Sequence, residues 1–131
     1  MNESHPPSRT ARWIGHILGL LVCANMLFSA GIKQVRPPGI PEHFAHLGWA
    51  MSSVTGLGIL EFACTILCLI PRTTVLGAIL LTAYLGGAAA AHVRVGEGGV
   101  AAFPIVLGVL LWGGLWLRDP RLCALLPFKR G

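Results

Sequence analysis

The sequence from Trp49 to Ile70 reads WAMSSVTGLGILEFACTILCLI. Its only formally charged residue is Glu61, and its length matches the ~20 apolar residues that a helix needs to cross the hydrocarbon core of a bilayer. Three other stretches have the same character, namely residues 13–31, 74–93 and 100–117. The sequence therefore predicts an all-α protein, a bundle of four transmembrane helices. The alternating ten-residue segments of a membrane β-barrel are not seen in it.

The composition of the whole chain agrees with a membrane protein. Of its 131 residues, 54% are hydrophobic and 11% are charged, whereas soluble domains carry about a quarter charged residues. A soluble domain of this size has too little interior for so much apolar surface, and disordered chains are poor in apolar residues. The net charge of +5 does not indicate nucleic-acid binding, because the basic residues flank the apolar runs and form no basic patch.

The distribution of charge predicts the topology. Seven of the ten Lys and Arg residues fall in the tails and in the turn between the second and third spans, and three fall on the other side. Because positive residues favour the cytoplasmic side, we expect both termini in the cytoplasm and the protein in the inner (plasma) membrane. Residues 1–12 are expected to form a disordered cytoplasmic tail, residues 13–117 the bundle, and residues 118–131 a cytoplasmic juxtamembrane tail.

The first apolar run also has the features of a secretory signal peptide. Arg9 and Arg12 precede it, and small residues follow it. The run is long for the apolar region of a signal, which spans ~7–15 residues, and it contains the polar Asn25. A retained helix is therefore the favoured interpretation.

The connection between the first two spans, residues 33–48, is expected to contain a short interfacial helix. Residues 41–47 begin with Pro and Glu, which suit the first turn of a helix. This segment carries His43 and His46, which together with His92 are weak candidates for a metal site. Interfacial histidines that bond to backbone or headgroups are the better interpretation, and no metal is expected.

Glu61 is the most informative residue because it is placed at mid-span. A charged group there costs several kcal/mol (~2.5–3.5 for Asp) unless it is paired or protonated. When the centres of the spans are matched, Tyr84 and Asn25 are its expected hydrogen-bond partners. Two interpretations stay open: a protonated Glu61 that holds the bundle together, or a functional group that contacts a ligand or carries a proton.

Lys33 is expected to extend to the outer headgroups instead of pairing with Glu61. Matched span centres place the two backbones over ~10 Å apart at 1.5 Å per residue. The third span brings His92 and Arg94 to the same outer end. The candidate ligand or partner site therefore consists of Glu61, Asn25, Tyr84, His92, Arg94 and Lys33.

The sequence shows no catalytic motif. The cysteines, Cys23, Cys64, Cys68 and Cys123, form no Cys-x-x-Cys pair and are expected to be packing residues. We therefore expect a non-catalytic accessory protein, or one that binds a ligand or partner, without a cofactor. Its expected partners are membrane lipids and either a second copy or another membrane protein.

Several short motifs follow one another along nearly the whole chain. They are Phe28-x-x-Gly31-x-Lys33, His46-Leu47-Gly48, Leu57-Gly58-Ile59-Leu60-Glu61, Pro71-Arg72, Gly77-Ala78-Ile79-Leu80-Leu81, Gly86-Gly87-Ala88, His92-Val93-Arg94, Leu115-Trp116-Leu117-Arg118-Asp119-Pro120 and Leu125-Leu126-Pro127. This ordered series resembles the DoxX-like family of small bacterial membrane proteins. The resemblance implies a four-helix transmembrane bundle and leaves the activity open.

The resemblance also implies an alternative function. DoxX itself is similar to a small subunit of an archaeal thiosulfate:quinone oxidoreductase. Under this alternative the chain is a membrane subunit of a quinone-linked sulfur or thiol oxidoreductase complex, a quinone is the cofactor, and Glu61 and His92 handle protons. Because the chain shows no redox group of its own, this role requires a partner that carries the cofactor.

Overall fold

A computed structural model describes residues 6–128 of the protein. Its helices are α1 Arg9–Val35, α2 Ile40–His46, α3 Met51–Leu69, α4 Thr74–Arg94, α5 Gly98–Arg118 and α6 Pro120–Leu125. No strand occurs within residues 6–128. α1, α3, α4 and α5 are each long and apolar enough to cross a membrane. The predicted all-α class and the four spans are therefore confirmed.

The first helix begins before the predicted span of residues 13–31. Ser8 Oγ accepts a hydrogen bond of 3.1 Å from the backbone N–H of Ala11, which satisfies one of the free donors at the start of the helix. Residues 9–12 are consequently helical, although the sequence placed them in a disordered tail. The disorder expected for residues 1–5 lies outside the described residues.

The first helix also continues past the predicted end, to Val35. It stops where Arg36 adopts a left-handed conformation with φ 54° and its backbone N–H bonds to the carbonyl of Ile32. Lys33 therefore lies in the last turn of a helix, where helix packing fixes its position.

The four long helices form a ring. α1 packs against α3 and α5, and α4 packs against the same two helices. Successive long helices are antiparallel, so α2 and the connection between α4 and α5 lie at the same end of the bundle. This end is termed the α2 end below, and its location on the outer side of the membrane stays a prediction.

Glycines allow the closest helix contacts at the end opposite α2. A Cβ atom added to Gly15 would lie 2.5 Å from the carbonyl oxygen of Gly114, and one added to Gly77 would lie 2.5 Å from Cys68 Cα. Gly87 lies in the half of α4 nearer the α2 end, and a Cβ added there would meet no atom within 4 Å. The helices are therefore tightly packed at one end, and α4 leaves open space toward the other.

The apolar side chains divide into an inner and an outer set. Leu81 and Leu111 are fully buried between the helices, whereas Leu21, Phe28 and Val109 on the outer surface are 63%, 68% and 66% exposed. Water does not favour so large an exposed apolar surface, but lipid chains do. The protein is accordingly a multi-pass membrane protein.

Two short helices lie outside the ring. α2 occupies the position predicted for a short helix and begins after Gly39, whose φ of 93° favours glycine. α6 follows Asp119, whose side chain accepts a 2.9 Å hydrogen bond from the N–H of Arg121. The placement of α2 along the membrane surface stays a prediction, and so does the cytoplasmic location of α6.

Candidate functional site

Glu61 and Lys33 form a buried ion pair between α3 and α1. Lys33 Nζ lies 2.6 Å from Glu61 Oε2, and the two side chains are 9% and 1% exposed. Nζ also donates to Ser29 Oγ at 2.7 Å and, more weakly, to the Ser29 carbonyl at 3.4 Å. The ammonium lies 5.8 Å from the ring centroids of both Phe44 and Tyr84, which is within the range of cation–π attraction. The mid-span carboxylate therefore has a partner of opposite charge.

The prediction that Lys33 reaches the headgroups instead of pairing with Glu61 is wrong. A Cβ added to Gly58 would lie 3.0 Å from Lys33 Cβ and 3.3 Å from the Ala30 carbonyl, so Lys33 is nearly level with Gly58. Glu61 lies three residues further along α3, about 4.5 Å along the axis, and the four-carbon stem of lysine spans this distance. Matching the centres of the spans misses this register, because α3 packs along the C-terminal half of α1.

Tyr84 completes the polar group, as the sequence predicted. Its hydroxyl donates to Glu61 Oε2 at 3.2 Å, so a single carboxylate oxygen joins α1, α3 and α4. Asn25, the other predicted partner, makes no hydrogen bond to Glu61 in the described structure. It lies about two turns of α1 away from Lys33, which is too far along the axis, and it lines the cavity described next.

These polar side chains line a cavity of about 690 Å³. Most of its wall is apolar, contributed by residues such as Met26, Ile32, Leu57, Leu80, Leu85 and Leu107. Phe44 and Leu47 cover it at the α2 end. Phe28, Leu60 and Phe103 also line it and are 68%, 52% and 58% exposed, so the cavity lining includes side chains of the lipid-facing surface. The volume is typical of sites for small molecules.

A carboxylate at the α2 end fastens α2 to the rest of the bundle. Glu97 Oε1 lies 2.8 Å from His46 Nε2 of α2, and Oε2 lies 2.8 Å from His92 Nδ1 of α4. Because an ionised carboxylate only accepts hydrogen bonds, both ring nitrogens are the donors. The hydrogen bonds from His92 and then His46 lower the pKa of Glu97. This arrangement, His46–Glu97–His92, is termed the latch.

The predicted histidines gather at the α2 end in pairs. The rings of His43 and His92 have centroids 5.6 Å apart, while His46 and His92 share the carboxylate of Glu97. Across the described residues, no group of three or more His, Cys, Asp or Glu side chains is arranged to hold a metal ion.

Arg94 does not join the cavity with the other predicted site residues. It lies two residues after His92, about 200° around the helix axis, and therefore on another face of α4. Its guanidinium donates to the carbonyl of Leu47, and it lines a separate, smaller groove with Trp49. Arg94 thus holds the end of α2 in place.

Phe44 lines the candidate site, although sequence reasoning did not identify it. Its ring faces Lys33 because α2 folds back over the bundle. The sequence contains no local signal for this fold-back. Ser29 is different, since its i, i+4 spacing from Lys33 on α1 places its hydroxyl beside the ammonium.

We expect the replacement of Glu97 with Gln to loosen α2. The variant loses the ionised acceptor that both histidines share, so amide hydrogens of residues 40–48 should exchange faster with solvent than in the wild type. Hydrogen–deuterium exchange in nanodiscs, expressed as protection factors, measures this effect. The Glu42→Gln variant is the matched control, because Glu42 is an exposed acid of α2 outside the latch.

The latch should also respond to pH in a defined direction. Since the pKa of Glu97 is lowered in the folded protein, its contribution is complete above the ordinary pKa of a glutamic acid and is lost as the pH falls through the folded-state value. Wild-type protection of residues 40–48 should therefore decline at acidic pH, whereas Glu97→Gln should stay loose throughout. Equal protection in the two proteins at neutral pH would contradict the latch.

Comparison with known proteins assigns the chain to a family. The family model of the DoxX-like family matches residues 17–114, from the early turns of α1 to the last turns of α5. No curated protein and no solved structure shows a significant match. The matched region contains the ion pair, the cavity lining and the latch. The chain therefore belongs to the DoxX-like family, as its series of short motifs predicted.

Proposed function

We propose that this protein is a non-catalytic membrane protein that binds an amphipathic small molecule in the cavity around Glu61. The observation that carries the proposal is a ligand-sized apolar cavity that contains a buried ion pair. Apolar walls with a few convergent polar groups are typical of small-molecule sites. The hydrocarbon part of the ligand lies against the apolar walls, and its polar head lies near Glu61, Tyr84 and Asn25.

The surroundings of the cavity support entry from the membrane. Phe28, Leu60 and Phe103 line the cavity and are exposed on the lipid-facing surface, and Phe44 and Leu47 of the α2 segment line it at the α2 end. A molecule dissolved in the bilayer therefore enters from the side. We place the protein in the inner membrane with both termini in the cytoplasm, where it acts as an accessory that presents this ligand to a membrane protein partner or to a second copy.

Filling the cavity should abolish binding. Ala88 lines the cavity from α4, one turn after Tyr84, and the Ala88→Phe variant places a ring in the open volume. We expect native mass spectrometry of wild-type protein from nanodiscs to show a co-purifying small molecule. The Ala88→Phe variant should lose this bound mass.

The neighbouring Ala90→Phe variant is the control for this experiment. Ala90 lies on the same helix but faces the smaller groove beside Arg94, so its variant should keep the bound mass. Thermal unfolding of both variants verifies that they are folded. A bound mass that is unchanged in a folded Ala88→Phe protein would show that the cavity is not the site.

A quinone-linked role is the second candidate. The observation that favours it is that Glu61 and His92, two groups able to carry protons, line the same cavity. The same mass spectra test it, because a bound quinone or a cofactor-bearing subunit has a distinctive mass. Preparations that contain neither would overturn this candidate and leave the binding proposal standing.

A further inference from the structure

The hydrogen-bonding capacity left open at the ion pair is that of an acceptor. Both donors that reach Glu61, Lys33 Nζ and the Tyr84 hydroxyl, converge on Oε2. Within residues 6–128 no hydrogen bond is made to the other oxygen, Oε1. Every fully enclosed side-chain nitrogen or oxygen in the described structure has a partner. Oε1 must therefore reach the open volume of the cavity that Glu61 lines.

The donors around this acceptor are already engaged. The three hydrogens of the Lys33 ammonium are directed at Glu61 Oε2, Ser29 Oγ and the Ser29 carbonyl. The Tyr84 hydroxyl hydrogen is directed at Oε2. A ligand whose head only accepts hydrogen bonds would have to displace one of these contacts, and it would leave Oε1 without a partner.

A second acceptor lines the cavity at its α2 end. His92 donates through Nδ1 to Glu97, so in a neutral ring Nε2 is an acceptor. His92 lines the same cavity as Glu61. Asn25, His43 and Trp49 also line the cavity and carry N–H donors, so the preference for a donating head comes from the open oxygen of Glu61.

The charge of the site further restricts the ligand. The Lys33 ammonium beside Glu61 repels a cationic amine, and the open oxygen of Glu61 repels an anionic carboxylate or phosphate. A neutral head satisfies both groups. A hydroxyl group supplies the missing donor without adding charge.

We infer that the cavity selects neutral amphiphiles whose head donates a hydrogen bond, that is, lipid-like alcohols and hydroquinones, over the corresponding ethers and quinones. This inference rests on the proposed function and specifies the class of its ligand. Because the acceptor is a carboxylate, loss of its hydrogen bond should weaken binding by about 10- to 100-fold. Under the quinone-linked alternative, the reduced form is the one that binds.

The inference is tested with two matched pairs of probes on the full-length protein in nanodiscs. The first pair is hexadecanol and hexadecyl methyl ether, and the second is decylhydroquinone and its quinone. Native mass spectrometry or a competition assay gives the affinity of each probe. We expect the donor-bearing member to bind at least 10-fold more tightly in at least one pair. The pair that shows the preference distinguishes a lipid alcohol from a hydroquinone.

A double variant, Lys33→Met/Glu61→Met, tests the origin of the preference. It removes the acceptor and the counter-charge together, so the two members of each pair should bind with equal affinity. Equal affinity of alcohol and ether, and of hydroquinone and quinone, in the wild type would overturn the inference and leave the binding proposal intact. A preference that persists in the double variant would also overturn it. If the wild type binds none of the four probes and carries no bound mass, the binding proposal itself fails.

Discussion

Replacing Glu61 with Met is expected to lower the free energy of unfolding by about 3–5 kcal/mol. The variant leaves the Lys33 ammonium buried, with only the Ser29 oxygens and two aromatic rings around it. An uncompensated charge in a low-dielectric interior is far more costly than the pair itself. Lys33→Met should cost a similar amount, since it leaves the carboxylate with only the Tyr84 hydroxyl.

The double variant Lys33→Met/Glu61→Met is expected to recover most of this loss. Two thioether side chains of similar length fill the same space without any charge, and buried ion pairs are often replaced in this way at little cost. Reversible unfolding from mild detergent into SDS gives the free energies of the wild type, both single variants and the double variant. The double-mutant cycle then yields the coupling energy of the pair.

Additive effects of the two single substitutions would contradict the buried pair. That result would mean that Lys33 extends to the headgroups in the membrane, as its sequence position first indicated. A strong coupling energy excludes that arrangement. It also makes the stable double variant a suitable protein in which to examine ligand preference without Glu61.

The helices and one contact of the site follow from the sequence alone. The four spans are predicted because long apolar runs with at most one charged residue leave a membrane helix as the only stable structure. The Glu61–Tyr84 contact is predicted because α3 and α4 are joined by a tight turn, so their centres lie level with each other. For α3 and α4, the number of residues between a side chain and the tight turn therefore determines its depth in the bundle.

The ion pair was not predicted, because its register depends on packing between helices that a long connection separates. The sequence pattern places Lys33 just after the first span, at the start of the connection, since a charged residue normally marks the membrane surface. A charged side chain that forms an ion pair inside the bundle does not need to reach that surface. The feature that sets the register is Gly58, whose missing side chain lets α1 approach α3, and no periodicity in the sequence identifies which helix it faces.

Two glycines of α4, Gly77 and Gly86, are expected to respond in opposite ways to substitution by alanine. We expect Gly77→Ala to destabilise the bundle by about 1–3 kcal/mol, because the new Cβ would lie 2.5 Å from Cys68 Cα and closer still to the Cys68 nitrogen. These are backbone atoms of α3, so relief requires the two helices to separate. Gly86→Ala is the matched control: a Cβ there meets no atom within 4 Å, and alanine improves helix propensity by up to about 1 kcal/mol.

The two substitutions should therefore shift the unfolding free energy in opposite directions in the same SDS titration. If Gly77→Ala were as stable as Gly86→Ala, α3 and α4 would not be in backbone contact at this end. The outcome also bears on the cavity, because Gly77 lies at the end opposite α2, whereas Gly87 lines the cavity. Contact of α3 with α4 at Gly77 holds the two helices together away from the cavity, and Glu61, Tyr84 and His92 line the cavity in which we propose that a ligand binds.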